Sequence, residues 1–299
     1  MKDAGITLYN RYTGQFEQEK IMGEKAIRWV YGNPLGKLSL HLLIKRAFFS
    51  RIMGWMKDRP SSARGLQQFV DEYGMDASEF ARPVEDYTSF NDFFTRKLKD
   101  GARPICSGNT IALPADGRHS GWQDVSDMQG VFVKGQSFDL PALLGSPELA
   151  EKYSRGSAVI SRLCPTDYHR FHFGAEGVAD APIRIPGPLA SVSPLCLRHK
   201  LSWLWTNQRE LTILHTPTVG DVLILAVGAT GVGAIEQTYT PGAPIAKGDE
   251  QGYFAFGGST IITFYEPGRV QLAEDILHHT ANCTETYARQ GDILGTIID

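Results

Sequence analysis

The chain has 299 residues, 42% of them hydrophobic and 21% charged, enough to bury a substantial core in one large domain or two. A formal net charge of -3 leaves no global basic field of the kind that nucleic-acid binding needs. The opening MKDAGITLYN lacks an apolar h-region and does not read as a secretory signal, and the longest uncharged apolar run, VLILAVGATGVGAI from Val222, is too short and glycine-rich to span a bilayer.

Up to about residue 100 the pattern is helical. GEKAIRWVY fits a short helix, and GKLSLHLLIKRAFFSRIMGWMKDRP fits a longer one that Pro60 stops. On the longer one Leu40, Ile44, Phe48, Ile52 and Trp55 recur at helical spacing and form an apolar stripe. Lys37, Lys45, Arg46, Arg51, Lys57 and Arg59 are opposed by Asp58 alone. Lys45, Arg46 and Lys57 lie off the stripe, while Arg51 lies near it and has to snorkel. A basic helix with Trp and Phe on its apolar face suits an anionic membrane surface. The other reading is that the stripe packs on the rest of the protein. GLQQFVDEYG reads as a third helix ended by Gly74, and SFNDFFTRKLK as a fourth with Ser89 as its N-cap.

From Pro104 onward short β-rich runs alternate with Gly, Pro and Asp: GVFVKGQSF, SAVISRLC, ELTILHT, DVLILAVG and TIITFY. The expected fold class is therefore α+β, a helical N-terminal region over residues 1–100 followed by an antiparallel or barrel-like β domain over 101–299. VKGQSF, AKGDEQGYF and RQGDILG echo one another, either as a duplicated unit of the barrel-sandwich-hybrid kind or as ordinary hairpin turns. The four cysteines (Cys106, Cys164, Cys196, Cys283) form no CxxC and read as reduced, buried thiols.

The candidate reactive groups lie in the β half. Asp116 sits in a D-G turn, which alone is a plain hairpin signal. RLCPTDYHRFHFG carries His169 and His172, three apart, so on a flat strand they face opposite ways and need a turn or bulge to share a pocket. His-x-x-His is also a partial metal pattern, but no neighbour completes it. Ser259 follows Gly257-Gly258, which interrupts the strand-like run GYFAFGGSTIITFYEPG. Asp, His and Ser are the ingredients of an activated hydroxyl, but any chain of this length offers such a set.

The local sequences say more than the residue types. FNDFFTRKLK…ARPI, PADG, RLCPTDYHRFHF, VGATGVGAI and KGDEQGYFAFGGST, in this order behind a helical N-terminal half, resemble the phosphatidylserine decarboxylase proenzymes over nearly the whole chain. GGST and DYHRFH are the most specific blocks. Many relatives carry Leu-Gly-Ser-Thr at the cleavage site where this chain has Phe-Gly-Gly-Ser-Thr; the Gly-Ser pair is intact.

That resemblance implies self-cleavage between Gly258 and Ser259 into a β chain (1–258) and an α chain (259–299). The Ser259 hydroxyl adds to the Gly258 carbonyl, the amide becomes an ester, and β-elimination followed by hydrolysis leaves a pyruvoyl group at position 259. Glycine at the attacked residue supplies backbone freedom and leaves room for the approach. By the same resemblance Asp116 orients His172, and His172 deprotonates Ser259. The pyruvoyl ketone forms a Schiff base with the serine amine of phosphatidylserine, and His169 returns a proton after CO2 departs, giving phosphatidylethanolamine. No metal and no diffusible cofactor is implied. The expected partners are a phosphatidylserine-containing membrane surface, the chain's own α and β pieces and a possible second copy, with no nucleic acid; the expected place is the cytoplasmic face of the membrane, peripherally bound. Two other classes remain: a β-hybrid carrier module, for which Lys247 in AKGDE is the faint candidate, and a membrane-binding pseudoenzyme, which would have lost Ser259 or the histidines.

Overall fold

The computed structural model describes residues 5–20, 22, 29–30, 33, 47–130, 139–190, 196, 202–229, 235–256 and 259–298. Its strands in chain order are β1 (Thr7–Asn10), β2 (Gln15–Gln18), β3 (Thr110–Ala112), β4 (Gly117–Trp122), β5 (Ser157–Leu163), β6 (Arg170–His172), β7 (Gly177–Ala179), β8 (Ile183–Ile185) and β9 (Arg209–Thr216). They continue with β10 (Gly220–Gly228), β11 (Ile235–Gln237), β12 (Pro244–Ile245), β13 (Glu250–Phe254), β14 (Ser259–Tyr265), β15 (Val270–Leu272), β16 (Glu285–Ala288) and β17 (Ile293–Ile297). The helices are α1 (Ala47–Asp58), α2 (Leu66–Tyr73), α3 (Phe90–Phe94), α4 (Leu140–Leu144), α5 (Pro147–Tyr153), α6 (Trp203–Thr206) and α7 (Glu274–Ala281).

The near-continuous apolar runs of β5, β10 and β14 are what strands buried on both faces require. They lie side by side, with Ile262 of β14 opposite Leu225 of β10 and Ile160 of β5. The two-residue period then splits them between two cores. Ile261 and Tyr265 join Leu113, Phe171, Phe173 and Phe254 on one face. Ile262 and Phe264 join Leu143, Tyr153, Leu204 and Trp205, from α4, α5 and α6, on the other. A third, aromatic core gathers Leu66, Val70, Phe80, Tyr87, Phe90, Phe93 and Phe94 of the helical segment, and takes in Phe256 from the β half.

The molecule is thus α+β and mostly sheet, and two expectations need correction. First, the N-terminal stretch is not helical throughout. TLYN and QFEQ pair as a hairpin, and β1 runs parallel to β16 at the edge of the main sheet. Second, no barrel closes among the described residues: the eleven-stranded sheet runs from β12 to β2 with two smaller three-stranded sheets beside it. GEKAIRWVY, apart from Trp29 and Val30, the run 37–46 and VKGQSF lie outside the described residues. Gly74 ends α2 in the left-handed conformation as expected (φ 62°), and Ser89 caps α3 through the Asp92 N–H. α3 stops at Phe94 because the next residues become extended: Lys97 and Lys99 exchange backbone hydrogen bonds with Ala81 and Glu79.

The echoed turns have a shared construction. Ala246–Asp249 and Arg289–Asp292 each close with a backbone hydrogen bond, 3.1 and 3.2 Å, and carry glycine at the position that needs positive φ (Gly248 95°, Gly291 89°). Gly248 donates to Phe173 and Gly291 to Leu113, while Phe173 and Leu113 donate to Asp249 and Asp292. The two clamped segments, LPADG and FGAEG, also cross each other: Ala112 N–H bonds Gly174 O at 2.9 Å and His172 N–H bonds Pro114 O at 2.8 Å. This approximate two-fold relation supports a duplicated unit over chance turns. It also brings the Asp116 segment against the His172 segment.

Candidate active site

Ser259 opens β14 at the centre of the main sheet, opposite Leu163 of β5 on one side and Gly228 of β10 on the other. Gly258, its partner in the bond expected to break, and Gly257 lie outside the described residues. The Ser259 side chain is fully buried, and its Oγ has no hydrogen-bond partner among the described residues. An unpaired buried hydroxyl costs about 1–3 kcal/mol, so this atom calls for a reason.

His169 lies on the loop that leaves β5. Its carbonyl accepts the Phe254 N–H at 3.0 Å, so the segments 163–169 and 254–259 are tied together at both ends. The ring is wholly buried and lies 3.8 Å, centroid to centroid, from Phe94. Nδ1 faces the Asp167 carbonyl at 3.0 Å and must carry the proton; Nε2 is then a bare lone pair, buried and without a partner among the described residues. Burial first, and the Arg96 guanidinium second, push its pKa down to about 3, so the imidazole is neutral.

His172 is oriented in the same way. Its Nδ1 faces the Gly248 carbonyl at 2.9 Å, and Nε2 lies 3.3 Å from the Tyr168 hydroxyl. Burial lowers its pKa. Asp116 is buried nearby, but its carboxylate accepts from Arg103 Nη2 at 2.7 Å, Arg103 Nε at 2.9 Å and the Gln290 N–H at 2.9 Å. Among the described residues no hydrogen bond joins Asp116 to His172; the Gly248 carbonyl holds the ring nitrogen that an orienting carboxylate would take. Asp116 and His172 are neighbours through the backbone bond from His172 to Pro114.

Sequence reasoning passed over the charges that support this group. Arg103 bridges Asp116 and Glu79, and Arg289 also reaches Glu79 at 3.0 Å. Arg118 pairs with Asp167, two residues before His169, and lies 3.4 Å from Glu19. Arg162 contacts Glu19 at 2.9 Å and Glu285 at 2.5 Å. Arg96 donates to the Thr166 and Asp167 carbonyls at 3.0 Å each. The available signal was the Asp in PTDYH, flanked by arginines spread along the chain that only the fold assembles. Among the described residues no three His, Cys, Asp or Glu side chains group as metal ligands. Lys247, the carrier candidate, is occupied by the Thr110 carbonyl at 3.0 Å. None of the four cysteines forms a disulfide; Cys164 and Cys196 are buried, whereas Cys283 is exposed.

These buried groups set the acid limit of stability. His119 and His169 both have folded pKa values of about 3 against 6.5 for an exposed imidazole. Burial opposes the Glu19 carboxylate, but Arg162 and Arg118 hold its pKa down to about 2. All three are depressed, so the unfolded chain binds more protons as pH falls below 6.5, and stability drops in that direction. Thermal melting at about pH 5 should occur well below melting at about pH 7.5; an equal or higher midpoint at the acid pH contradicts the burial of these groups.

Comparison with known proteins fits this arrangement. The family model described as Phosphatidylserine decarboxylase matches residues 90–286, which span α3, both histidines and Ser259. Phosphatidylserine decarboxylase proenzyme of Fusobacterium nucleatum is 43% identical over 291 residues, covering 97% of each chain. Proteins of the same name from Desulfitobacterium hafniense (42% over 292 residues, 97% of this chain and 98% of that one) and Chlamydia trachomatis serovar L2 (42% over 287 residues, 96% and 95%) are similar over the same extent. The chain belongs to the phosphatidylserine decarboxylase family.

Proposed function

We propose that this protein is a lyase of phospholipid biosynthesis, converting phosphatidylserine to phosphatidylethanolamine and CO2 after self-cleavage between Gly258 and Ser259. The observation that carries the reading is the pair of buried atoms without a partner among the described residues, Ser259 Oγ and His169 Nε2, on two segments tied to each other, in a chain of this family. Both are costly as static structure, and both have work in a maturing decarboxylase. The products 1–258 and 259–299 remain associated, because β14 is hydrogen-bonded on both sides by strands of the larger piece.

The site suits a pyruvoyl group made from Ser259: the residue is fully buried and its Oγ has no hydrogen-bond partner among the described residues. When formed, such a group supplies a ketone conjugated to an amide, an acceptor for the electron pair that CO2 leaves behind. The remaining roles belong to side chains. His172, with Nδ1–H committed to Gly248, offers Nε2 to take the Ser259 proton during maturation. His169, with Nδ1–H committed to the Asp167 carbonyl, holds or returns a proton at the substrate α-carbon. Asp116 acts on His172 through the packed backbone and its negative charge. Conversion of phosphatidylserine by the purified protein, with release of CO2, tests the reading; its absence from fully cleaved protein refutes it.

The lipid is reached by peripheral binding at the cytoplasmic face, through the first 100 residues less the β1–β2 hairpin, with 101–299 as the catalytic domain. The support is α1. Phe48 is 71% exposed, Trp55 56%, Met56 51% and Ile52 39%, so the described part of the stripe is not covered by the β half. The Arg59 guanidinium lies 4.0 Å from the Trp55 ring, a cation set beside an apolar wedge. No described helix is long and apolar enough to cross a membrane. Lys57 departs from the expected outward position and turns onto Phe90 and Phe256. Replacing Lys45 and Arg46 by Gln should therefore weaken binding to anionic vesicles by about 2 kcal/mol at most, roughly thirtyfold. Trp55→Asp should harm it at every salt concentration. Wild-type co-sedimentation by both variants at low and high salt sinks the helix as the membrane contact.

A further inference from the structure

Lys57 is a basic residue at the end of a lipid-facing helix that does not face the lipid. Its Nζ lies 4.2 Å from the Phe90 ring centroid and 4.8 Å from that of Phe256. Phe256 precedes Ser259 by three residues, so its Cα lies at most about 11 Å from that of Ser259 along the chain. The same aromatic group reaches the other side of the site. Phe94 packs edge-on against Phe256 at 5.3 Å and lies against His169 at 3.8 Å.

The placement of Lys57 is built, not incidental. Asp58 accepts from Asn91 Nδ2 at 2.8 Å, and Asn91 Oδ1 accepts the Phe256 N–H at 2.9 Å. Ser62 donates to the Lys57 carbonyl at 2.7 Å and accepts the Phe90 N–H at 2.9 Å. The end of α1 is thereby fastened to both rings under the ammonium. Among the described residues no carboxylate pairs with Lys57, although Asp58 is adjacent in the chain and engaged elsewhere. Half-burial lowers its pKa, and the rings offset only part of that cost. An ammonium held in this way is matched by an anion that arrives with a ligand.

The substrate carries such an anion. A few bonds separate the amine of phosphatidylserine, which must reach position 259, from its phosphodiester, and the acyl chains lie beyond. Phe48, Ile52, Trp55 and Met56 on the same helix are exposed and offer apolar surface to the acyl chains. We propose that the Lys57 ammonium binds the phosphodiester of the lipid headgroup, a reading that rests on the decarboxylase function above. Lys57 then selects a phosphoserine lipid over free serine, and α1 serves at once as membrane contact and as one wall of the site.

The test uses mature, fully cleaved protein and short-chain dihexanoyl lipids below their micelle concentration, so that no membrane surface contributes. Dihexanoyl phosphatidylcholine, which has the phosphodiester but no reactive amine, should bind Lys57→Gln about tenfold more weakly than wild type by calorimetry, and Lys57→Arg should recover most of the loss. Lys57→Met should lose as much as Lys57→Gln while keeping the packing on Phe90 and Phe256. With dihexanoyl phosphatidylserine the KM should rise by about the same factor and kcat per cleaved chain should change little. With O-methylserine, which keeps the free amine and carboxylate but lacks the phosphate, wild type and Lys57→Gln should react alike. Equal phosphatidylcholine binding by wild type and Lys57→Gln, or an equal loss on the phosphate-free substrate, overturns the role of Lys57. Absence of decarboxylation by cleaved wild type instead overturns the functional reading on which it rests.

Discussion

Ser259→Ala leaves the chain whole. The alanine removes the only atom of residue 259 that can attack the Gly258 carbonyl, so a denaturing gel should show one full-length species after any incubation. Decarboxylation should be undetectable, because no ketone can form without the serine. The fold should survive. Ser259 Oγ makes no hydrogen bond among the described residues, so its removal leaves no new partner unsatisfied, and the strand pairings of β14 run through the backbone. A melting temperature equal to or above that of an uncleaved wild-type precursor is therefore expected, and is the control that separates chemistry from misfolding. Cleavage of Ser259→Ala at its normal site contradicts the account.

The two histidines should part company. His172→Ala should accumulate precursor, since a positioned base contributes about 10²–10⁴ in rate. His169→Ala should still be cleaved but turn over poorly, by a factor in the same range. The His169 change also removes the stack on Phe94, so its melting temperature must be read beside its rate. His169→Asn keeps polarity with less loss of packing and should show the same split. Cleavage blocked equally by both changes means that both histidines are needed for maturation and that the division of roles between them fails. Asp116→Asn has two possible routes to an effect. A slower cleavage at unchanged melting temperature supports action on His172. A lower melting temperature with normal cleavage assigns Asp116 to its ion pair with Arg103.

The parts of this molecule that sequence made legible are those where one local pattern has one physical solution. The central strands β5, β10 and β14 are near-continuous buried runs, and Gly74 and Ser89 are helix punctuation. The hairpin of β1 and β2 was missed because four-residue strands carry too few alternations to outweigh helical neighbours. The open sheet in place of a barrel depends on which edges meet, and no local run encodes that. The position of Lys57 was not legible for a similar reason. A helical wheel places it off the apolar stripe, but only the fold shows its ammonium over Phe90 and Phe256. The arginines around Asp116 and Asp167 come from distant positions, so their pairing is visible only once the fold is assembled.

The central claim is that Ser259 converts its own peptide bond into the reactive group. The intact mass of purified wild-type protein under denaturing conditions tests it most directly. The account expects two chains, one ending at Gly258 and one spanning positions 259–299, the second lighter than its unmodified sequence by the loss of ammonia and refractory to N-terminal sequencing. A single chain with the full mass of residues 1–299, persisting in protein that decarboxylates phosphatidylserine, contradicts it.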